Sequence, residues 1–310
     1  MASFKGSSRK GILHQYTSQL TVFEHTPHPT SEPQNLLIFV GGLFGGLLTT
    51  PYPTRIAATL PPSWSLAEVL LSSSYLGWGI SSLDRDADEL AKCVSYFRTI
   101  KSGKIILMGH STGCQDVITY LTGTGHETRP AIDGGIIQAP ASDREAMVMA
   151  LGEEVLSETC KIAKAMVESG DGEEILPSKV RHGFFAPTPI SARRWLSLAS
   201  PDHDGDDDLF SSDLSDEQLL KTFGALPARS PLCILFSGND EYMPKSVDKE
   251  AMLKRWIEIS KRGKGTVDEV HSGVLAGASH DLSGNPEEVV NGLVNRVLGF
   301  LNGLPTQSHL

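Results

Sequence analysis

Residues 104–108, Lys-Ile-Ile-Leu-Met, run straight into Gly109-His110-Ser111-Thr112-Gly113, and the chain leaves as the helix pattern Cys-Gln-Asp-Val-Ile-Thr-Tyr-Leu. This G-x-S-x-G match constrains the fold more than any other segment. Gly makes up 30 of 310 residues, so chance alone supplies roughly 0.3 such matches in a chain this long, and the flanks carry the weight. A buried strand, a tight turn and a helix form an elbow that lifts a serine hydroxyl above the edge of a sheet. The two glycines are needed because a side chain at either place would collide with neighbouring backbone. The bland alternative is a glycine-rich turn with an idle serine.

The surrounding pattern suits that elbow. Short apolar runs alternate with amphipathic stretches, as in a mainly parallel sheet covered by helices. Residues 12–16 and 20–25 read as an antiparallel edge, with buried strands at 35–40, 65–74, 104–108, 134–139 and 232–236 and a last strand at 267–275. Leu83, Ala87, Leu90, Ala91, Val94 and Phe97 recur at helical spacing over 83–99, and further helices are expected at 114–121, 247–261 and 286–301. From 143 to 229 the pattern turns helical with Pro and Gly breaks. The expected fold is therefore an α/β-hydrolase fold. Residues 1–142 and 230–310 form its doubly wound, mostly parallel core, and 143–229 form a helical lid inserted before the acid-bearing strand.

A serine hydroxyl is a weak nucleophile near neutral pH and needs a base oriented by a third group. In this fold the chain order is serine, acid, histidine. The strand at 232–236 ends in Ser-Gly-Asn-Asp-Glu-Tyr-Met-Pro, which makes Asp240 the expected acid and Glu241 its rival. His280, in Gly-Ala-Ser-His-Asp-Leu, is the expected base. His271 falls inside a strand pattern, and His110 should project away from Ser111. The remaining histidines (His14, His25, His28, His126, His182, His203 and His309) precede the acid or sit at the tail. Oxyanion donors are expected from the amides of Thr112 and of Leu43, in Gly-Gly-Leu-Phe-Gly-Gly. Gly42, Phe44, Tyr75, Trp78, Asp206 and Asp207 are the expected substrate-binding residues. The glycine loop lacks the Gly-Lys-Ser/Thr ending of a phosphate cradle.

The acidic run at 202–208 breaks the calcium-loop pattern: counted from Asp202, it has Asp207 and Asp213 where Gly and Glu belong. It reads as a solvated lid loop or as a lure for a cationic substrate. A net charge of −10 disfavours nucleic acid and anionic membranes as partners. No apolar run suits a signal peptide or a membrane span, and four scattered cysteines suit buried thiols in a reducing cytosol. No cofactor or metal is expected, and the sequence leaves the oligomeric state open.

Several longer stretches resemble one family. GGLFGGL, LSSSYLGWGISSLDRDADEL, MGHSTGCQD, IIQAPASDREA, DDDLFSSDL, LFSGNDEYMP and GASHDLSG, from about residue 36 to residue 284, are similar to the fungal siderophore esterases, the fusarinine C esterase family of α/β hydrolases. The resemblance implies a cytosolic serine esterase that cuts ornithine esters of a fusarinine-type hydroxamate siderophore, or of its ferric complex, in iron metabolism. It also carries a triad of Ser111, Asp240 and His280 by motif. Two other classes stay open: a ligand-binding protein on the same fold with little turnover, and a thioesterase or acyltransferase.

Overall fold

The computed structural model describes residues 6, 8–26 and 32–305; His28 and His309 lie outside them. Its centre is one eight-stranded sheet. The strands are β1 (Gly11–Gln15), β2 (Thr21–His25), β3 (Asn35–Val40), β4 (Trp64–Val69), β5 (Ile105–His110), β6 (Gly134–Gln138), β7 (Leu232–Ser237) and β8 (Gly273–Leu275). Their spatial order is β1-β2-β4-β3-β5-β6-β7-β8. The first two strands run antiparallel and all the others parallel.

The helices are α1 (Tyr52–Thr59), α2 (Leu83–Arg98), α3 (Gly113–Thr122), α4 (Asp143–Leu151), α5 (Glu153–Glu168), α6 (Ala192–Ala199), α7 (Asp216–Leu220), α8 (Lys249–Arg262) and α9 (Glu287–Gly303). Both faces of the sheet are covered, so the inner strands are mainly apolar and successive side chains enter opposite cores. Along β3, Leu36, Ile38 and Val40 join α2, α3 and α8 on one face, while Leu37 and Phe39 join α1 and α9 on the other.

Two strands are shorter than their patterns. After Val69 the chain turns, with the Leu71 amide donating to Ser74 Oγ and the Ser72 amide to Glu89. Only residues 273–275 of the expected 267–275 pair as a strand. Asp268 curls the preceding segment by accepting from the amides of Val270 and His271 and from the His271 ring. Helix α1, between Pro51 and the Pro61-Pro62 pair, has no counterpart in the sequence reading.

Residues 143–229 fill the gap between β6 and β7 in two ways. α4, α5 and α6 close a separate apolar cluster around Leu156, Phe185 and Trp195, which also takes in Trp78. Phe210, Leu214, Leu219, Phe223 and Leu226 instead join the main core, where Phe223 stacks on Trp256. All four cysteines are buried and unpaired. Among the described residues no helix is long and apolar enough to cross a membrane.

Candidate active site

The elbow is built as tightly as its glycines imply. A Cβ on Gly109 would stand 2.0 Å from the carbonyl oxygen of Gly113, and one on Gly113 would stand 2.4 Å from that of Val40. Ser111 itself has φ +55°, a left-handed backbone that a serine adopts only under constraint. Phe44 (φ +63°), Tyr75 (φ +59°) and Ala139 (φ +52°), near it in the fold, share that strain. At about 1–3 kcal/mol each, such residues persist where the surroundings over-determine them, and they gather at functional sites.

The acid loop and the base loop are laced together beyond β7 and β8. The Gly238 amide donates to Leu275 O (2.9 Å) and the Asn239 amide to Ala278 O (2.8 Å). This sets the Asp240 carboxylate, whose side chain is wholly buried, 2.9 Å by both oxygens from His280 Nδ1. With Nδ1 turned to a carboxylate, the ring keeps Nε2 as its free acceptor. Glu241 touches the same histidine differently: its Oε2 accepts from the His280 backbone N–H at 2.9 Å.

Ser111 and His280 line one cavity of about 320 Å³ together with Gly42, Leu43 and Phe44. Among the described residues the Ser111 hydroxyl makes no hydrogen bond. The amides of Leu43 and Thr112 likewise donate to no protein group.

Other expected residues sit elsewhere. His110 does not turn away: it lines the same cavity, its ring centroid 4.9 Å from that of His280. Ser111 has left the strand for a left-handed turn, so its side chain and that of His110 need not point to opposite faces. Burial, with His280 beside it, pushes the His110 imidazole down to about 3, so it is neutral. Tyr75 does not join the lining. Its hydroxyl accepts from the Leu47 amide (3.2 Å), and a Cβ on Gly46 would stand 2.2 Å from its ring, so it braces the glycine loop. Trp78 lies behind Phe44, edge-on at 5.2 Å, facing a recess of about 20 Å³ that also borders Asp86, Asp116 and Arg194.

The acidic run corrects the substrate-lure expectation. Asp207 is fully buried, 2.5 Å from Arg194 Nη1 and accepting from Ser197 Oγ at 2.7 Å. Asp208 pairs with Arg144 (3.1 Å), Asp202 with Lys164, and Asp204 accepts from Ser200. Asp206 is exposed, yet neither it nor Asp207 borders the cavity. These carboxylates fasten residues 143–229 together. The acidic residues lining the cavity are Asp143, Glu241 and Asp281, which the sequence reading did not single out as cavity residues; burial raises Asp143 well above the usual carboxylate range, which leaves Glu241 and Asp281 as the cavity's charges. Met147, Phe184 and Phe185, from residues 143–229, give it an apolar wall.

The chain resembles known proteins over nearly its whole length. A family model described as "Protein of unknown function (DUF1749)" matches residues 1–302. The chain is 42% identical to "Fusarinine C esterase sidJ" of Aspergillus fumigatus, over 95% of this chain and 96% of that protein. It is 39% identical to "Esterase AN6793" of Emericella nidulans, over 94% and 92%. Among solved structures, "Siderophore hydrolase EstB from Aspergillus fumigatus" superimposes with a TM-score of 0.85 at 42% identity, covering 97% of this chain and 99% of that one.

Proposed function

We propose, from the premise that this chain belongs to the fungal siderophore esterase family of α/β hydrolases, that it hydrolyses ornithine esters of a fusarinine-type hydroxamate siderophore through an acyl-enzyme on Ser111. Ser111 Oγ attacks the ester carbonyl while His280 Nε2 takes its proton. Asp240 holds the ring in that tautomer and stabilises the imidazolium. The open amides of Leu43 and Thr112 receive the oxyanion. His280 then protonates the leaving alcohol, and a water activated by the same ring releases the acid and frees Ser111.

The observation that carries this reading is the two-oxygen contact of Asp240 with His280 Nδ1, at the rim of the cavity that Ser111 lines. The acidic lining supports a substrate with free amines and disfavours an anionic CoA thioester. The ferric complex would be substrate, its iron leaving with the cleaved chelator; the reaction asks for no metal of the protein's own. A slow or silent binding protein is the alternative. Mass spectrometry of the products from ferric fusarinine C, beside p-nitrophenyl acetate turnover, separates the two. Ser111→Ala should abolish both activities and leave ligand binding intact; turnover that survives in Ser111→Ala would sink the mechanism.

A further inference from the structure

Strand β6 is Gly-Gly-Ile-Ile-Gln, buried at every position, and Gln138 at its end is 0% exposed. A buried primary amide must satisfy two N–H donors and an oxygen with two lone pairs, or the unmet groups cost stability. All four partners are present. Gln138 Oε1 accepts from His110 Nδ1–H (2.7 Å) and from the Tyr52 hydroxyl (2.9 Å). Gln138 Nε2 donates to Ser237 Oγ (3.0 Å) and to the backbone carbonyl of His280 (3.3 Å). Since a carbonyl can only accept, the amide has one allowed orientation, and that orientation makes His110 the Nδ1–H tautomer. Ser237 Oγ adds a second donor to the same His280 carbonyl at 3.4 Å. On its backbone side, Gln138 O accepts from the Ser111 amide at 3.1 Å.

One residue thus grips the nucleophile's turn through its main chain and the base's loop through its side chain. Neither Asp240 nor Glu241 does this: both hold His280 from the β7 side, and among the described residues neither hydrogen-bonds the elbow. We infer that Gln138 is a positioning residue that fixes the separation of Ser111 and His280 and locks the neutral His110 ring beside the base. The inference rests on the reading of Ser111 and His280 as nucleophile and base. Proton transfer tolerates little displacement: a shift of about 1 Å can cost about 10²-fold in rate.

Gln138→Glu tests this, because a carboxylate can still accept from His110 and Tyr52 but cannot, when ionised, donate to the His280 carbonyl. The expected result with p-nitrophenyl acetate is a fall in kcat of about 10²-fold, with KM changed less than about threefold. In a His280→Ala background the same substitution should change the residual rate less than about threefold, since groups acting through one base do not add. A general structural defect would instead lower both backgrounds by the same factor. That result, or near-wild-type kcat in a folded Gln138→Glu enzyme, overturns the inference. If near-ultraviolet circular dichroism shows that Gln138→Glu does not fold, Ser237→Ala carried through the same cycle decides, with about a tenfold loss expected only where His280 is present. Wild-type enzyme without turnover, or Ser111→Ala with turnover, would refute the catalytic reading itself and is seen before any Gln138 variant is made.

Discussion

A methyl group on Gly42 would stand 2.6 Å from the Cβ of Ser111 and 3.2 Å from its Oγ. The glycine after β3 is therefore the space into which the nucleophile's own side chain fits, and it also sets where the Leu43 amide can point. Gly42→Ala should push that loop away from the elbow and cost the site one oxyanion donor, worth about 10²–10³ in kcat. Steady-state hydrolysis of p-nitrophenyl acetate, beside a thermal melt to show that the variant folds, measures it. Normal turnover in a folded variant would remove Leu43 from the oxyanion site.

The two neighbouring acids should separate by role. Asp240→Asn removes the carboxylate facing His280 Nδ1, and a loss of about 10⁴-fold in kcat is expected, as in the serine-protease template. Glu241→Gln keeps an acceptor for the His280 amide and should stay within about tenfold of wild type, since the net worth of one such hydrogen bond is about 1 kcal/mol. The opposite ranking would transfer the acid's role to Glu241.

Charge selection should reside in the cavity wall and not in the lid's acidic run. Asp281 holds the amide and hydroxyl of Ser283, contacts that an asparagine can keep in part. Asp281→Asn should lower kcat/KM for an amine-bearing ester several-fold more than for its N-acetylated form. The gap should narrow as salt shortens the Debye length from about 10 Å at 0.1 M to about 3 Å at 1 M. Asp206→Asn should leave the ratio alone. Equal losses on both substrates at every salt concentration would rule out selection by Asp281.

Stability should fall as pH rises through the weakly acidic range, against the usual behaviour of carboxylates. Burial pushes Asp86 up to about 6 from 3.8. Burial also raises Asp116, helped by Asp86, and Asp143, helped by Asp207. A raised carboxyl binds its proton more tightly in the folded chain, so the folded state holds more protons than the unfolded one between about 4 and 6. Unfolding free energy must then decline as pH climbs through that window. His110, depressed to about 3, works in the opposite sense, its contribution being lost as pH drops below 6.5. Urea unfolding at pH 5 and pH 7 should show a smaller decline in Asp86→Asn than in wild type; identical declines would mean that Asp86 does not titrate there.

Much of the architecture is legible in the sequence because buried parallel strands are apolar at every position. The runs 35–40, 104–108, 134–139 and 232–236 declare themselves in this way. The elbow is legible for a related reason, since Gly109 and Gly113 are sterically compulsory. Helix α1 escapes because its prolines read as breakers, although proline suits a helix's first turn. The segment before β8 misleads because Val267, Val270 and Val274 are strand-favouring residues while Asp268 bends the backbone locally. The acids at 202–208 mislead for a different reason. Composition reports charge, but it cannot report that Arg194 and Arg144, distant in sequence, neutralise Asp207 and Asp208. Gln138 was equally hidden, since a polar residue closing an apolar strand carries no mark of which four groups will surround it.

The wall of the cavity and the apolar cluster of α4, α5 and α6 have Phe44 in common: it faces the cavity, while its ring meets Trp78 edge-on at 5.2 Å and Phe184 at 6.1 Å. Selection for a new substrate therefore cannot resize that wall in isolation. A smaller residue at position 44 would open room for a bulkier acyl group and would loosen the lid in the same step. Lineages diverging in substrate should thus either stiffen α5 and α6 beforehand or vary at Ala146, which borders the cavity without belonging to that cluster. Directed evolution would face the same order of events, with tolerance at position 44 appearing only after the lid has stability to spare.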